Sequence, residues 1–94
     1  MIVGFSGKFA ETIFRDRKVP KGFSAALAAV ARRKLVMLNN AGRLEDLKSP
    51  PGNRLEVLKG DLAGKHSIRI NEQWRIVFCW TANGPDEVEI LDYH

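Results

Sequence analysis

Ninety-four residues, 45% of them hydrophobic and 28% charged, suffice for one domain with a single core and are too few for two. Fifteen Lys and Arg against 11 Asp and Glu give a net charge of +4, a moderate bias toward anionic partners that falls short of a DNA-coating protein. The one cysteine, Cys79, excludes an intramolecular disulfide framework and suits a reducing cytoplasm, and no stretch reads as a membrane span or secretion signal, so a cytoplasmic location away from membranes is expected.

Met1-Ile2-Val3-Gly4-Phe5 reads as a short strand, after which Ser6 offers an N-cap to a helix over 7–18. Phe9, Ala10, Ile13 and Phe14 recur there at helical spacing, Arg15, Arg17 and Lys18 fall in the last turn where positive charge suits the dipole, and Pro20 ends the element. Ser24 caps a second, longer helix over 25–41. Leu27, Val30, Ala31, Lys34, Leu35, Leu38 and Ala41 trace its inner stripe, Gly42 is expected to stop it, and Arg32 and Arg33 lie outside as solvated stems or a binding patch. Leu44 and Leu47 suggest one more helical turn before the rigid bend Ser49-Pro50-Pro51-Gly52-Asn53, which joins the helical half to the strand half.

Arg54-Leu55-Glu56-Val57-Leu58 then alternates, with Leu55 and Val57 expected toward the helices and Arg54 and Glu56 away from them. The glycine-flanked loop Lys59-Gly60-Asp61-Leu62-Ala63-Gly64 leads into a hairpin, where Ile68 and Ile70 alternate with Ser67 and Arg69, and Trp74, Ile76, Phe78 and Trp80 with Arg75, Val77, Cys79 and Thr81. Cross-strand partners share a face, so the loop length follows from the pattern. A two-residue loop at Glu72-Gln73 would set Arg69 against Ile76, whereas Asn71-Glu72-Gln73 pairs Ile68 with Ile76 and Arg69 with Arg75. The second register is the consistent one, and two facing guanidiniums repel unless an anion intervenes. Ala82-Asn83-Gly84-Pro85 turns the chain into a last strand, with Val88 and Ile90 inward and Glu87, Glu89 and Leu91 opposite. The expected fold is one α+β domain over 1–94: a short N-terminal strand and two helices packed on one face of a small twisted antiparallel sheet, the other face open.

That open face and its edge would carry Arg54, Glu56, Lys59, Arg69 and Arg75, with Asp92, Tyr93 and His94 at the end. His66, Cys79 and His94 lack the spacing of a zinc site, Gly60 and Gly64 make no phosphate-cradling loop, and no serine sits in a nucleophile elbow; no metal or cofactor is expected. His66 shares the side of Ile68 and Ile70 and is expected to be packed. Cations with carboxylates, a phenol and an imidazole suit a phosphodiester, although charges on a solvent-facing sheet are also simply common. Cleaving RNA takes a base for the 2′-hydroxyl proton, cations for the charge developing on phosphorus, an acid for the leaving oxygen, and a ring on which a base can stack.

Asn53-Arg54-Leu55-Glu56-Val57-Leu58-Lys59-Gly60-Asp61, Gly64-Lys65-His66-Ser67-Ile68-Arg69-Ile70-Asn71, Gln73-Trp74-Arg75-Ile76-Val77-Phe78 and the ending Asp92-Tyr93-His94 together resemble the HigB-like toxins of the RelE/ParE superfamily, over nearly the whole chain. The resemblance implies a type II toxin that enters the ribosomal A site, cuts mRNA there by 2′-hydroxyl attack, and is silenced by a HigA-like helix-turn-helix antitoxin, through which the complex binds its operator DNA. Carried over by position, Arg75 would hold the scissile phosphate with help from Lys59. Tyr93 would stack on or orient the substrate, and His94 or Asp92 would exchange protons. Arg69 would support the phosphate or contact ribosomal RNA; by their charge alone, Arg54 on the open face and the run at Arg32 and Arg33 are further candidate RNA contacts beside Lys59. Some members carry a catalytic histidine where Glu56 stands here, so Glu56 acts as an ionised base, or His94 takes that load, or cleavage is slow. A carboxylate following His94 would favour its imidazolium, so a tag placed there is expected to perturb activity. The alternatives are a non-catalytic inhibitory binder, as gyrase-directed relatives are, and an RNA-binding module; the set Lys59, Arg75, Tyr93 and His94 favours the nuclease.

Overall fold

The second helix shows most directly how local sequence sets an element here. In the computed structural model, which describes residues 1–92, α2 (Ala25–Asn40) begins where Ser24 Oγ accepts the Leu27 amide proton at 3.0 Å. Ala28, Ala31, Leu35 and Leu38 are buried along one stripe, with Leu27, Val30 and Met37 packed beside it. The expected glycine stop is replaced by a carboxylate. Ala41 is extended, and Asp46, in the 3-10 turn Leu44–Lys48, accepts the amides of Gly42 and Arg43 at 3.1 and 3.0 Å.

The first helix, α1 (Phe9–Phe14), is much shorter than the apolar spacing suggests. Ser6 does not cap it: the helix starts at Phe9 with Lys8 in the N-cap position, and Ser6 belongs to the preceding segment, its amide on the Val88 carbonyl at 2.9 Å. At the other end Arg17, at φ 55, turns the chain out of helical geometry, so Arg15 lies just past the helix, 3.4 Å from Glu11 and over the Phe5 ring.

Strands β1 (Glu56–Val57), β2 (His66–Arg69), β3 (Trp74–Thr81) and β4 (Gly84–Asp92) pair antiparallel in chain order. The N-terminal strand survives as a strap: it runs parallel to β4 through the single bridge Phe5↔Val88, with the Val3 amide on the Pro85 carbonyl at 2.7 Å. Gly84 makes room for it, since at φ 125 a side chain would run into the Met1 carbonyl. The hairpin register is the one the facing pattern requires, Ile68↔Ile76 and Arg69↔Arg75. The turn is closed by Asn71, whose Oδ1 accepts the amides of Gln73 and Trp74 at 2.9 and 2.7 Å. A register shift between Val77 and Cys79, with Glu87 at φ 51, bulges the pairing of β3 with β4.

The helices supply Ala10, Ile13, Ala31, Leu35 and Leu38 to a core that meets Ile68, Ile76, Phe78, Val88 and Ile90 on one sheet face. Two expectations about the other face need correction. Val57 keeps its side of the sheet, opposite His66, but lies beyond the cover of the helices and is 67% exposed. Leu58 and Val77 are buried although they share the sides of Glu56 and Arg75 and stand outside the helix-side cluster. The outward face is therefore closed over these two apolar residues, and what stays open is its end near the 71–73 turn. No helix among the described residues is long and apolar enough to cross a membrane.

Candidate functional site

At that open end Arg69 and Arg75 face each other across β2 and β3. Arg75 is only 7% exposed, yet its alternation with Ile76 puts it on the side away from the helices. Its Nε donates to Ser67 Oγ at 2.8 Å, Nη2 donates to the Arg54 carbonyl at 2.7 Å, and Nη1 lies 3.5 Å from Glu56 Oε1. One guanidinium thus ties β2 to β1 and to the bend before it. The repulsion expected between the two arginines is offset by a carboxylate on each, Glu56 on Arg75 and Glu72 on Arg69 at 3.9 Å. The second is weak, because Glu72 is almost fully exposed. Arg54, Arg69, Asn71, Glu72 and Arg75 line an open concavity of about 240 Å³.

The other residues expected at the site fall less close together. Lys59 is exposed at the head of the turn Gly60–Leu62 and does not line the concavity. Asp92 pairs with Trp74, one position out of phase with the Arg75↔Leu91 pair, so it falls on the side of Trp74 and does not line the cradle; it accepts from Gln73 Nε2 at 3.0 Å beside the hairpin turn. Tyr93 and His94 lie outside the described residues. Arg32 and Arg33 are not part of the cradle, because α2 packs on the opposite sheet face. Arg32 lines a groove with Ile13 of α1 and Ala28 of α2, its Nε buried without a hydrogen-bond partner, and Arg33 is exposed. His66 sits on the core side as expected, stacked on Phe78 with centroids 6.2 Å apart. Among the described residues no group of His, Cys, Asp and Glu is arranged to hold a metal ion.

Two residues not singled out from sequence hold this arrangement. Ser67 is fully buried under Arg75, and a hydroxyl in mid-strand on a face of charges was the only signal. Asn53 is fully buried, donates to the Leu47 and Ser49 carbonyls at 3.1 and 3.3 Å, and accepts from Lys34 Nζ at 2.5 Å. Arg54 follows in the left-handed region, φ 46 and ψ 57. Arg54→Gly should therefore raise stability in urea by about 0.5–1 kcal/mol by removing the Cβ penalty. An unchanged or lower stability would show that the left-handed backbone carries no penalty.

Burial, reinforced by the neighbouring Arg33 charge, lowers the pKa of Lys34 from the usual 10.5. The folded chain then releases this proton before the unfolded one does. Between the lowered value and 10.5 the unfolded state binds more protons, so this group's contribution to stability grows as pH rises and is lost as pH falls through the folded value. The stability of the wild type relative to Lys34→Met should accordingly increase as pH rises toward 10.5; a flat difference would mean that the ammonium titrates as it does in water.

A two-layer α+β domain with an arginine cradle on the helix-free face of a four-stranded sheet has the architecture of the RelE-like class. A family model described as RelE-like toxin of type II toxin-antitoxin system HigB matches residues 3–94. Toxin HigB-1 of Vibrio cholerae is 39% identical over 80 residues, covering 85% of this chain and 84% of that protein. An uncharacterized protein of Haemophilus influenzae is 36% identical over 77 residues, covering 82% of this chain and 71% of its own. The chain belongs to the HigB-like family of type II toxins, and such a toxin has an antitoxin as its partner.

Proposed function

We propose that this toxin is a ribosome-dependent endoribonuclease that cuts mRNA in the A site by attack of a 2′-hydroxyl on the adjacent phosphodiester. The observation that carries the reading is the concavity in which Arg54, Arg69 and Arg75 converge while a carboxylate, Glu56, touches Arg75. Three cations around one polar hollow match the charge that builds on a phosphorane, and Glu56, which lines a neighbouring hollow and reaches this one through its contact with Arg75, supplies proton chemistry. Leu91 pairs with Arg75, so β4 delivers the chain to this end of the sheet one residue before Asp92, and Tyr93 and His94 follow. In this reading Arg75 stabilises charge on the phosphate, Arg54 and Arg69 hold the backbone, and Lys59 approaches from the Gly60–Leu62 turn. Tyr93 stacks on a base, and Glu56, Asp92 and His94 share the proton transfers. A HigA-like helix-turn-helix antitoxin neutralises the toxin, carries the pair onto operator DNA, and the system operates in the cytoplasm.

Primer extension on mRNA translated with the purified toxin tests this. Cuts within A-site codons that vanish when ribosomes are omitted are expected; intact mRNA with inhibited gyrase would replace the nuclease by a binder.

A further inference from the structure

Helix α2 and the arginine cradle lie on opposite faces of the sheet, yet a short series of hydrogen bonds connects them. Lys34 and Met37, one turn apart on α2, both reach Asn53: Lys34 Nζ donates to its Oδ1, and its Nδ2 lies 3.1 Å from Met37 Sδ. The same Nδ2 donates to the carbonyls of Leu47 and Ser49, which brackets the bend from both sides. The backbone around Asn53 is also fastened, its own amide on the Pro50 carbonyl at 3.0 Å and that of Arg54 on Pro51 at 3.1 Å. Arg54 thereby stands in a left-handed conformation that non-glycine residues adopt only where the surroundings over-determine it. Its carbonyl is the one that receives Arg75 Nη2.

We infer that Asn53 and Lys34 are positioning residues: together they lock the Arg54 backbone so that its carbonyl orients the Arg75 guanidinium. For its activity arm the inference rests on the endoribonuclease reading above. An ordinary core hydrogen bond would stabilise the fold without setting Arg75. Here the bonded residue is adjacent to the strained one, and the strained carbonyl bonds the cationic side chain at 2.7 Å. Asparagine is required by the donor count, because aspartate would place a carboxylate against the Leu47 and Ser49 carbonyls. Burial disfavours the charged form of Lys34, in keeping with a side chain retained for its directed N–H rather than as a surface charge.

The test compares Lys34→Met, which removes the donor, Lys34→Arg, which keeps one, and Asn53→Ala, with three readouts: thermal unfolding, solvent exchange of the Arg75 Nε–H resonance, and single-turnover cleavage on programmed ribosomes. In Lys34→Met the Nε–H should exchange about tenfold faster and the cleavage step should slow about tenfold, while the half-saturating ribosome concentration stays within about twofold. Lys34→Arg should restore both rates to within about threefold of wild type. Asn53→Ala should exceed Lys34→Met in both where it folds; the Lys34 pair decides the matter where it does not. A folded Lys34→Met with a lower melting temperature but unaltered Nε–H exchange and cleavage would overturn the inference. Absence of cleavage by the wild type would strike the nuclease reading alone, and the exchange measurement would still decide whether Lys34 positions Arg75.

Discussion

Arg75→Ala is expected to lower ribosome-programmed cleavage by about 10²–10³-fold and to reduce stability by about 2–4 kcal/mol. Both effects come from the same burial. Arg75 is 7% exposed and its guanidinium satisfies Ser67 Oγ and the Arg54 carbonyl, so truncation leaves a buried hydroxyl and a part-buried carbonyl short of a donor. It also deprives Glu56 of its partner and withdraws from the hollow the one cation whose geometry is fixed from several sides. Arg75→Lys separates the roles. An ammonium keeps the charge but cannot serve Ser67, Arg54 and Glu56 in three directions from one plane. It should recover part of the stability and little of the rate. The measurement is single-turnover cleavage beside urea unfolding on the same preparations. Arg69→Ala is the control, because among the described residues Arg69 is bridged to an exposed glutamate alone, at 3.9 Å, and its loss should weaken RNA binding with little effect on stability. Cleavage by Arg75→Ala within a few-fold of wild type would remove Arg75 from the chemistry and leave it as a strut.

Much of this site follows from alternation alone. Once Ile68 and Ile76 must share a face, Arg69 and Arg75 must share the other, and of a two-residue and a three-residue turn it is the three-residue one that allows it. The second helix was legible for the same reason: a serine cap and a periodic stripe agree with each other and with its tertiary environment. Elsewhere local preference was overridden by pairing. Ser6 has the chemistry of a cap, but its amide is engaged by β4, and nothing in residues 1–8 announces a parallel strap beside a strand some eighty residues later. Leu58 and Val77 read as polar-face positions because a two-residue period assigns sides; it cannot tell which parts of a side are covered. Asn53 reads as a turn residue. That its amide would be buried and shared among Lys34, Leu47 and Ser49 depends on three segments meeting, which no short window of sequence contains. Their charge made Arg32 and Arg33 candidate RNA contacts, and the packing of α2 on the far face separates them from the cradle.

Glu56→Gln is expected to slow the cleavage step about 10²-fold while leaving ribosome binding within about twofold. The side chain is half-exposed and 3.5 Å from Arg75 Nη1, beside the residues that line the hollow, so the carboxylate is both solvent-accessible and held in direction by the guanidinium. Glutamine preserves shape and an acceptor oxygen for that contact, which keeps the cradle in place while removing the capacity to take a proton. The prediction thus distinguishes a base from a tether, as Glu56→Ala could not. Glu56→His installs the residue that some HigB-like toxins carry at this position; an imidazole can accept the same proton, and the variant should cleave within about tenfold of wild type. It should also acquire a rate that rises with pH through the ordinary histidine range near 6.5. If His94 is the base instead, Glu56→Gln changes the rate only a few-fold, His94→Ala produces the larger loss, and Glu56→His adds no new pH dependence. The three variants, measured under single-turnover conditions across pH, assign the proton acceptor to one residue of the pair.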